Sequence, residues 1–570
     1  MSHYNKTMKL NEANLLKTHI YNTINRKTNC YYKTPISKDN IDNEGTIKIT
    51  KPGYYYLTED IVFDIPQSTN IHDYLFTKPE KSEHLFGKHA GILIESDCVI
   101  LDLCGHTISQ SARFYAAQRF FNLIQFNNFP FIKNPDKPCH NTNGEHGCPV
   151  VGPIPNVLIE EFVTPKYIVI KNGCFGLTSH TAIHGNNNSY IVIENLVASN
   201  FEVSMITLNK VEQIVVDCVT IPNSLSMVPF TPFLVTVMLA IKSFLSAGLN
   251  ISDLSVLHLA LKKWATEVDK AKTIDELIVL SKNYPDFDNS VNDYLSPCGQ
   301  FGMSMTRKGP SVHNFSDNMP SETHSSECIF IVNSKINKLE VNVFEDISIA
   351  KNGKPLALIA GSVLRIVTME HPLTQEILRL LKTVPIDIRK TISPLDDATI
   401  DNILSPSKDK PFELCRGIDN MAHTSKGVVA IRLDDCIHAS MVNVHICDLN
   451  NIGKPLSDAE IQAAKIKYYS NEIIMMNSTL LSPNNYVGNN SCGILMSSGK
   501  NYTLLCSSIN NVKSKYGCAI GLGINNSLEC AFVEDLSIKD IDSDNNKNDS
   551  GTLLIDEDSK MITLNRVTYN

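Results

Sequence analysis

Apolar residues along this chain come in short runs that stop at a polar corner and then resume. In GILIESDCVILDLCGHTI, starting at Gly91, two β-type runs at 92–95 and 99–103 flank Ser96 and Asp97. The same succession begins again at Gly427 (GVVAIRLDDCIHASMVNVHI), Gly493 (GILMSSGKNYTLLCSSINNV), Gly517 (GCAIGLGINNSLECAFVEDLSI) and Gly551 (GTLLIDEDSKMITLNRVTYN). NVLIEEFVTPKYIVIKNG from Asn156 and CIFIVNSKINKLEVNVFEDISI from Cys328 follow it too. Gly493 and Gly517 are 24 residues apart, and Ala182 and Ser204 are 22 apart. A unit that short cannot bury its own apolar face, so the pattern predicts stacked units sharing one core and turning at Ser, Asp, Asn and Gly corners. SDC at 96–98 and DDC at 434–436 fall nearly in step. Asp97 and Asp435 therefore read as one recurring corner, and Cys98 and Cys104 as stacked core residues.

Between these units the apolar period changes from two to three or four. Leu254, Leu257, Leu261, Trp264, Val268 and Ala271 would share one helix face. Thr273 followed by Glu276 reads as the capping box of a second helix. Residues 225–320 are thus expected to be a mostly helical insertion, with smaller helical ones near 372–410 (TQEILRLLKTV, DATIDNIL) and 456–470 (SDAEIQAAKIKYY). Such excursions can leave a stack at its corners without breaking the pairing. The most apolar stretch, 227–249, is interrupted by Pro229, Pro232 and Lys242, which argues for buried helix over a membrane span of about 20 apolar residues.

The succession GTIKITKPGYYYLTEDIVF from Gly45, GILIESDCVILDLCGHTI and GVVAIRLDDCIHAS resembles the right-handed parallel β-helix of pectin-lyase-like proteins. More narrowly it is similar to β-helix proteins of amoeba-infecting giant DNA viruses of the mimivirus kind, whose AT-rich genomes suit the Asn-, Ile- and Lys-rich composition. The resemblance covers 45–225 and 325–570. It implies a mainly β chain, a right-handed single-stranded parallel β-helix with α-helical insertions. The expected parts are a leader at 1–44, a first β-helix part at 45–224, the insertion at 225–320 and a second β-helix part at 321–570. Rods of this kind associate, often as trimers, so a homo-oligomer is implied.

Charge and composition narrow the partners. With 51 basic against 60 acidic residues and no Lys/Arg-rich run, the chain has little to neutralise phosphates, so nucleic acid is not an expected partner. The polar start, MSHYNKTMKLNEANLLKTHIYN, lacks the apolar segment of a secretory signal, which points to synthesis in a cytoplasm. Sixteen scattered cysteines, most in apolar runs, read as small hydrophobes, not a disulfide framework.

Two constellations carry chemistry. Asp434 and Asp435 in RLDDCIHAS resemble the paired aspartates of polygalacturonases, and an inverting glycosidase needs an acid and a base carboxyl about 6.5–9.5 Å apart. The family's Asn-Thr-Asp, Gly-His-Gly and Arg-Ile-Lys elements are absent, which leaves corner chemistry as the competing role. In KPCHNTNGEHGCPV, Cys139, His140, His146 and Cys148 offer two thiols and two imidazoles to a structural zinc, with a Cys139–Cys148 disulfide as the alternative. His180 and His184 sit in a presumed corner where glycan contact or plain surface exposure would serve equally. Without a complete catalytic set, the expected function is a structural or attachment protein of a virus particle, contacting other virion proteins and polysaccharide. A polysaccharide lyase or glycoside hydrolase is the alternative.

Overall fold

The computed structural model describes residues 2–28, 32–42, 45–65, 90–117, 121–126, 164–201, 204–209, 211–226, 300–306, 326–341, 355–360, 363–368, 428–451, 491–515, 517–525, 528–543 and 551–569, with parts of 266–279, 291–292 and 379–401. It is mainly β. Almost all strands belong to one parallel sheet system whose neighbours in space are one circuit apart in sequence. The chain visits three ladders in rotation. In the first, one row runs from Ile47 through Ile92, Ile124, Ile183, Ile206 and Ile431 to Leu553. In the second, Val99, Ile168, Ile191, Ile214 and Ile329 lie side by side. In the third, Ile221, Ile336, Ile446, Ile509 and Ile538 do the same. Apart from Leu553, which is partly buried, these rows are buried and form one continuous core along the stack. Each aliphatic side chain thus meets its own kind one strand spacing away, about 4.8 Å.

Corners are built from left-handed backbone. Between the second and third ladders Asn172, Asn195, Cys218, Asn333 and Asn443 all have φ of 50–58°. Asparagine tolerates that region because its short amide can hydrogen-bond locally. Here the amides also bond along the stack: Asn195 Nδ2 donates to Asn172 Oδ1 at 3.3 Å, and Asn443 Nδ2 to Asn333 Oδ1 at 3.0 Å. The rows end on carboxylates, Asn172 Nδ2 donating to Asp102 at 3.1 Å and Asn333 Nδ2 to Asp217 at 3.0 Å.

The second ladder is apolar on both faces. Its strands read VILD, YIVI, YIVI, QIVV and CIFIV, and the outward residues of successive strands are Ile100, Val169, Val192, Val215 and Phe330. A strand with both faces apolar must be covered twice. The cover is α1, Ser2–Lys27. Ile20 and Ile24 of α1 share an apolar cluster with Cys98, Ile100, Val169 and Val192, and Leu10, Ala13 and Leu16 share one with Val215, Phe330, Val332, Val442 and Leu505. Asn5 Nδ2 reaches Glu534 Oε2 at 3.1 Å. A 26-residue helix is about 39 Å long, the width of about eight strands, so α1 lies across the stack from its early circuits to its late ones.

Several sequence expectations meet the coordinates here. The stack begins before Gly45, because Lys33–Ile36 already pairs with Gly53–Leu57, and the stretch expected as a leader supplies α1. Gly493 registers beside Gly521, not Gly517, since Ile494 pairs with Leu522 and an added Cβ at Gly493 would press on the Gly521 carbonyl. Asp435 does not stack on Asp97. The row through Val99 continues to Ala439, which puts Asp97 level with Ile437. Cys104 is exposed and Cys98, though buried, lies under α1 outside the shared core, so neither is a stacked core residue. In the helical insertion, Val268 and Ala271 join the main core, and Thr273 Oγ1 accepts the Glu276 N–H at 3.2 Å. Helical residues at 379, 382–383, 397–398 and 401 fall on the expected second insertion, where Lys382 pairs with Asp401. Residues 227–249 and 456–470 lie outside the described residues. Among the described residues no helix is long and apolar enough to cross a membrane.

Candidate functional site

The first ladder differs from the second in what flanks it. The long connections at 66–89, 227–299, 342–427 and 452–490 enter its strands, and those at 127–163 and 307–325 leave them. Its outward face carries polar residues where the second ladder carries valine.

Three consecutive strands place polar residues at i and i+3 in FNLIQF, TAIHGN and SMITLN. Parallel pairing turns these into a grid: Thr181 beside Ser204, and His184 beside both Gln125 and Thr207. Asn122 Nδ2 donates to Gln125 Oε1 at 3.0 Å, and Ser204 Oγ bonds Thr207 and donates to Thr181 Oγ1 at 3.3 Å. His180 Nδ1 lies 2.9 Å from Asn122 Oδ1 and 3.2 Å from Thr181 Oγ1. Around them Thr178 Oγ1 donates to the Phe121 carbonyl at 2.7 Å, and the Ser179 N–H to Gln110 Oε1 at 2.6 Å. All of these residues are buried.

His184 is the exception within the network. It is 1% exposed, yet neither ring nitrogen has a hydrogen-bond partner. Its register neighbours have spent their groups elsewhere, Gln125 on Asn122 and Thr207 on Ser204. Burial alone holds its imidazole down at about 4, so it is neutral at physiological pH. His180 engages the far row of the grid and His184 the near one.

Further along the same face the grid gives way to Arg432, whose Nη2 lies 3.0 Å from Asp434 Oδ2, and then to apolar Val429, Cys492, Leu495 and Ile520. Asp434 ends the first-ladder segment of Val428–Val442, and Asp435 makes the corner with φ of 54°. Behind them Cys436 is buried. Its N–H donates to the Tyr502 hydroxyl at 3.0 Å, and burial pushes its thiol far above the ordinary range. Asp434 is thus tied to an arginine on the sheet face, and Asp435 forms the corner itself. Cys139, His140, His146 and Cys148 lie outside the described residues. Among the described residues no group of three or more His, Cys, Asp or Glu side chains is placed to hold a metal. The sequence reading missed the grid, although its signal, a polar residue at i and i+3 within an apolar strand, is visible in FNLIQF, TAIHGN and SMITLN.

Comparison with known proteins finds no match among family models, curated proteins or solved structures.

Proposed function

We propose that this chain is a right-handed single-stranded parallel β-helix that serves as a structural or attachment rod in a virus particle. The parallel ladders support the handedness, because crossovers between parallel strands of one sheet are right-handed in roughly 98% of cases. The observation that carries the functional reading is the unbroken core from Ile47 to Leu553 with α1 laid across it. A chain that invests a 26-residue helix in bracing the outside of its own stack is built for stiffness. The polar face of the first ladder is buried and hydrogen-bonded within itself. Asp434, neutralised by Arg432, is set up as a structural ion pair.

Quantitative mass spectrometry of purified particles tests this. The rod reading expects the chain at many copies per particle, together with no release of unsaturated or reducing ends from a panel of acidic and neutral polysaccharides. Turnover that disappears in Asp434→Asn or Asp435→Asn would replace it with an enzyme.

A further inference from the structure

α1 is apolar on two opposite sides. Ala13, Ile20 and Ile24, spaced by seven and four residues, are buried against the second ladder. Tyr4, Met8 and Leu15, spaced by four and seven, fall on the other side of the helix and are 72%, 40% and 71% exposed. A helix with apolar residues on opposite sides calls for a cover on each, and the sheet supplies one. The charge of α1 is as lopsided as its surface. Ser2–Lys27 carries five Lys/Arg and one acid, in a chain whose net charge is -9. That acid, Glu12, is taken by Lys9 at 2.8 Å, and Lys17 is taken by Glu194 and Asp217 beneath the helix. Arg26, Lys27 and, just beyond the helix, Lys33 are exposed and have no acidic partner among the described residues. Lys27 and Lys33 rest over the rings of Tyr167 and Tyr54, at 5.1 and 4.4 Å, and Tyr32 beside them is 77% exposed.

We propose that the outer side of α1 is a docking surface for an anionic lipid bilayer, on which the stack lies lengthwise. Charge decides between the possible covers. A second copy seated on α1 would set one basic helix against another, and like charges disfavour that contact. An acidic surface gains from the same residues. α1 is about 39 Å long and stands out from the sheet it covers, so a flat interface meets Tyr4, Met8 and Leu15 together. Those side chains enter the boundary between headgroups and acyl chains, where a tyrosine keeps its hydroxyl in water. Arg26, Lys27 and Lys33 stay at headgroup level against lipid phosphates and carboxylates. The inward side of α1 keeps its contacts with the second ladder throughout, so the helix lies on the bilayer and does not enter it lengthwise. The inference stands on the surface of α1 alone and does not depend on the rod reading above.

Co-sedimentation of the full chain with phosphatidylcholine vesicles, prepared with and without phosphatidylserine, tests the surface. Binding is expected to be at least tenfold stronger to the vesicles that contain phosphatidylserine, and to weaken as salt is raised. Tyr4→Ser combined with Leu15→Ser, and separately Arg26→Glu combined with Lys27→Glu, should each weaken it at least tenfold, with far-ultraviolet circular dichroism and cooperative unfolding retained. Val62→Ser combined with Val197→Ser, at exposed positions of the third ladder, should leave it unchanged. Absence of binding to the anionic vesicles overturns the proposal, as do equal binding to both kinds of vesicle, binding that survives either α1 pair, and loss of binding in the third-ladder pair. A dimer by light scattering that is lost in the Tyr4 and Leu15 variant would overturn it as well, by giving the outer side of α1 to a second copy.

Discussion

The outward faces of the first and second ladders solve the same problem in opposite ways. Both are covered, and both belong to strands whose inward residues are interchangeable aliphatics. On the second ladder the outward row is Ile100, Val169, Val192, Val215 and Phe330, and α1 seals it with apolar contact that needs only complementary shape. On the first ladder the outward rows are Asn122, Thr181 and Ser204, then Gln125, His184 and Thr207, where every buried polar group needs a partner of the right kind. The apolar face tolerates imprecision and the polar face does not. His184, with no hydrogen bond to either nitrogen, is what that intolerance looks like.

Charge beneath α1 sets its position. Lys17 Nζ lies 2.8 Å from Glu194 Oε2 and 2.7 Å from Asp217 Oδ2, two acids on adjacent strands, and Tyr21 also donates to Glu194. Burial works against the Asp217 carboxylate, but hydrogen bonds from Lys17, Asn333 and Cys218 outweigh it and hold the group below the ordinary carboxylate range. Apolar contact fixes that α1 lies on this face, and the lysine fixes where along the stack it stops.

The strongest way to break the contrast is to remove the apolar cover. Deleting residues 1–28 should expose the whole valine row and cost on the order of 5 kcal/mol, from the loss of Ile20, Ile24 and Ala13 burial on one side and the row itself on the other. The expected readout is a lower unfolding temperature with new binding of a hydrophobic dye, and an unchanged midpoint without dye binding would mean that α1 is not the seal. Acid should find the polar face first. His184 has a folded value of about 4 against 6.5 for the free side chain, so the unfolded chain takes up its proton at higher pH than the folded one does. Stability should therefore fall as pH drops from about 6.5 to about 4, by roughly 3 kcal/mol, and be level with respect to this group outside that window. His184→Gln should flatten that segment of the denaturant-midpoint profile; the same slope in the variant would assign it to another group.

Smaller effects sharpen the picture. Lys17→Met should cost about 2 kcal/mol by leaving Glu194 and Asp217 together without their cation. It should also weaken the acid sensitivity of Asp217, whose contribution is present above its unfolded value and is lost as pH falls through the folded one. Chemical denaturation at pH 7 and pH 3 measures both, and equal midpoints for variant and parent at pH 7 would exclude the lysine as the lock. Ser204→Ala should cost about 1 kcal/mol by cutting the link between Thr181 and Thr207. A gain in stability there would show that the grid is no more than a desolvation cost.

The repeating corners and the mainly β class were legible because they are written in local periodicity, which survives without knowledge of neighbours. Val268 is a buried helical residue and Ala271 a buried one beyond the turn that follows it, while the Thr273 hydroxyl accepts the Glu276 N–H as a capping box does. Register was less legible. Gly493 stands beside Gly521 and not Gly517 because circuits differ in length, with the bonded corner groups Asn172 and Asn195 separated by 23 residues and Cys506 and Asp535 by 29. Cys104 looked like core and is exposed because a left-handed corner, with φ of 50°, turns it outward. Asp434 and Asp435 stand out as a pair from their adjacency, whereas the Arg432 partner of Asp434 and the left-handed backbone at Asp435 appear only in the structure.

By itself the sequence determined that the chain stacks short apolar units with turns at polar corners, and not that the second ladder is apolar on both faces. It did not determine what covers those faces. That α1, in a polar stretch at the start of the chain, seals the second ladder was decided by tertiary structure. Its contacts lie on seven circuits spread from Ile100 to Leu505, and no local window holds both partners. The same holds for the grid around His184: each polar pair sits on its own strand, and only parallel stacking at about 4.8 Å makes the three pairs one network.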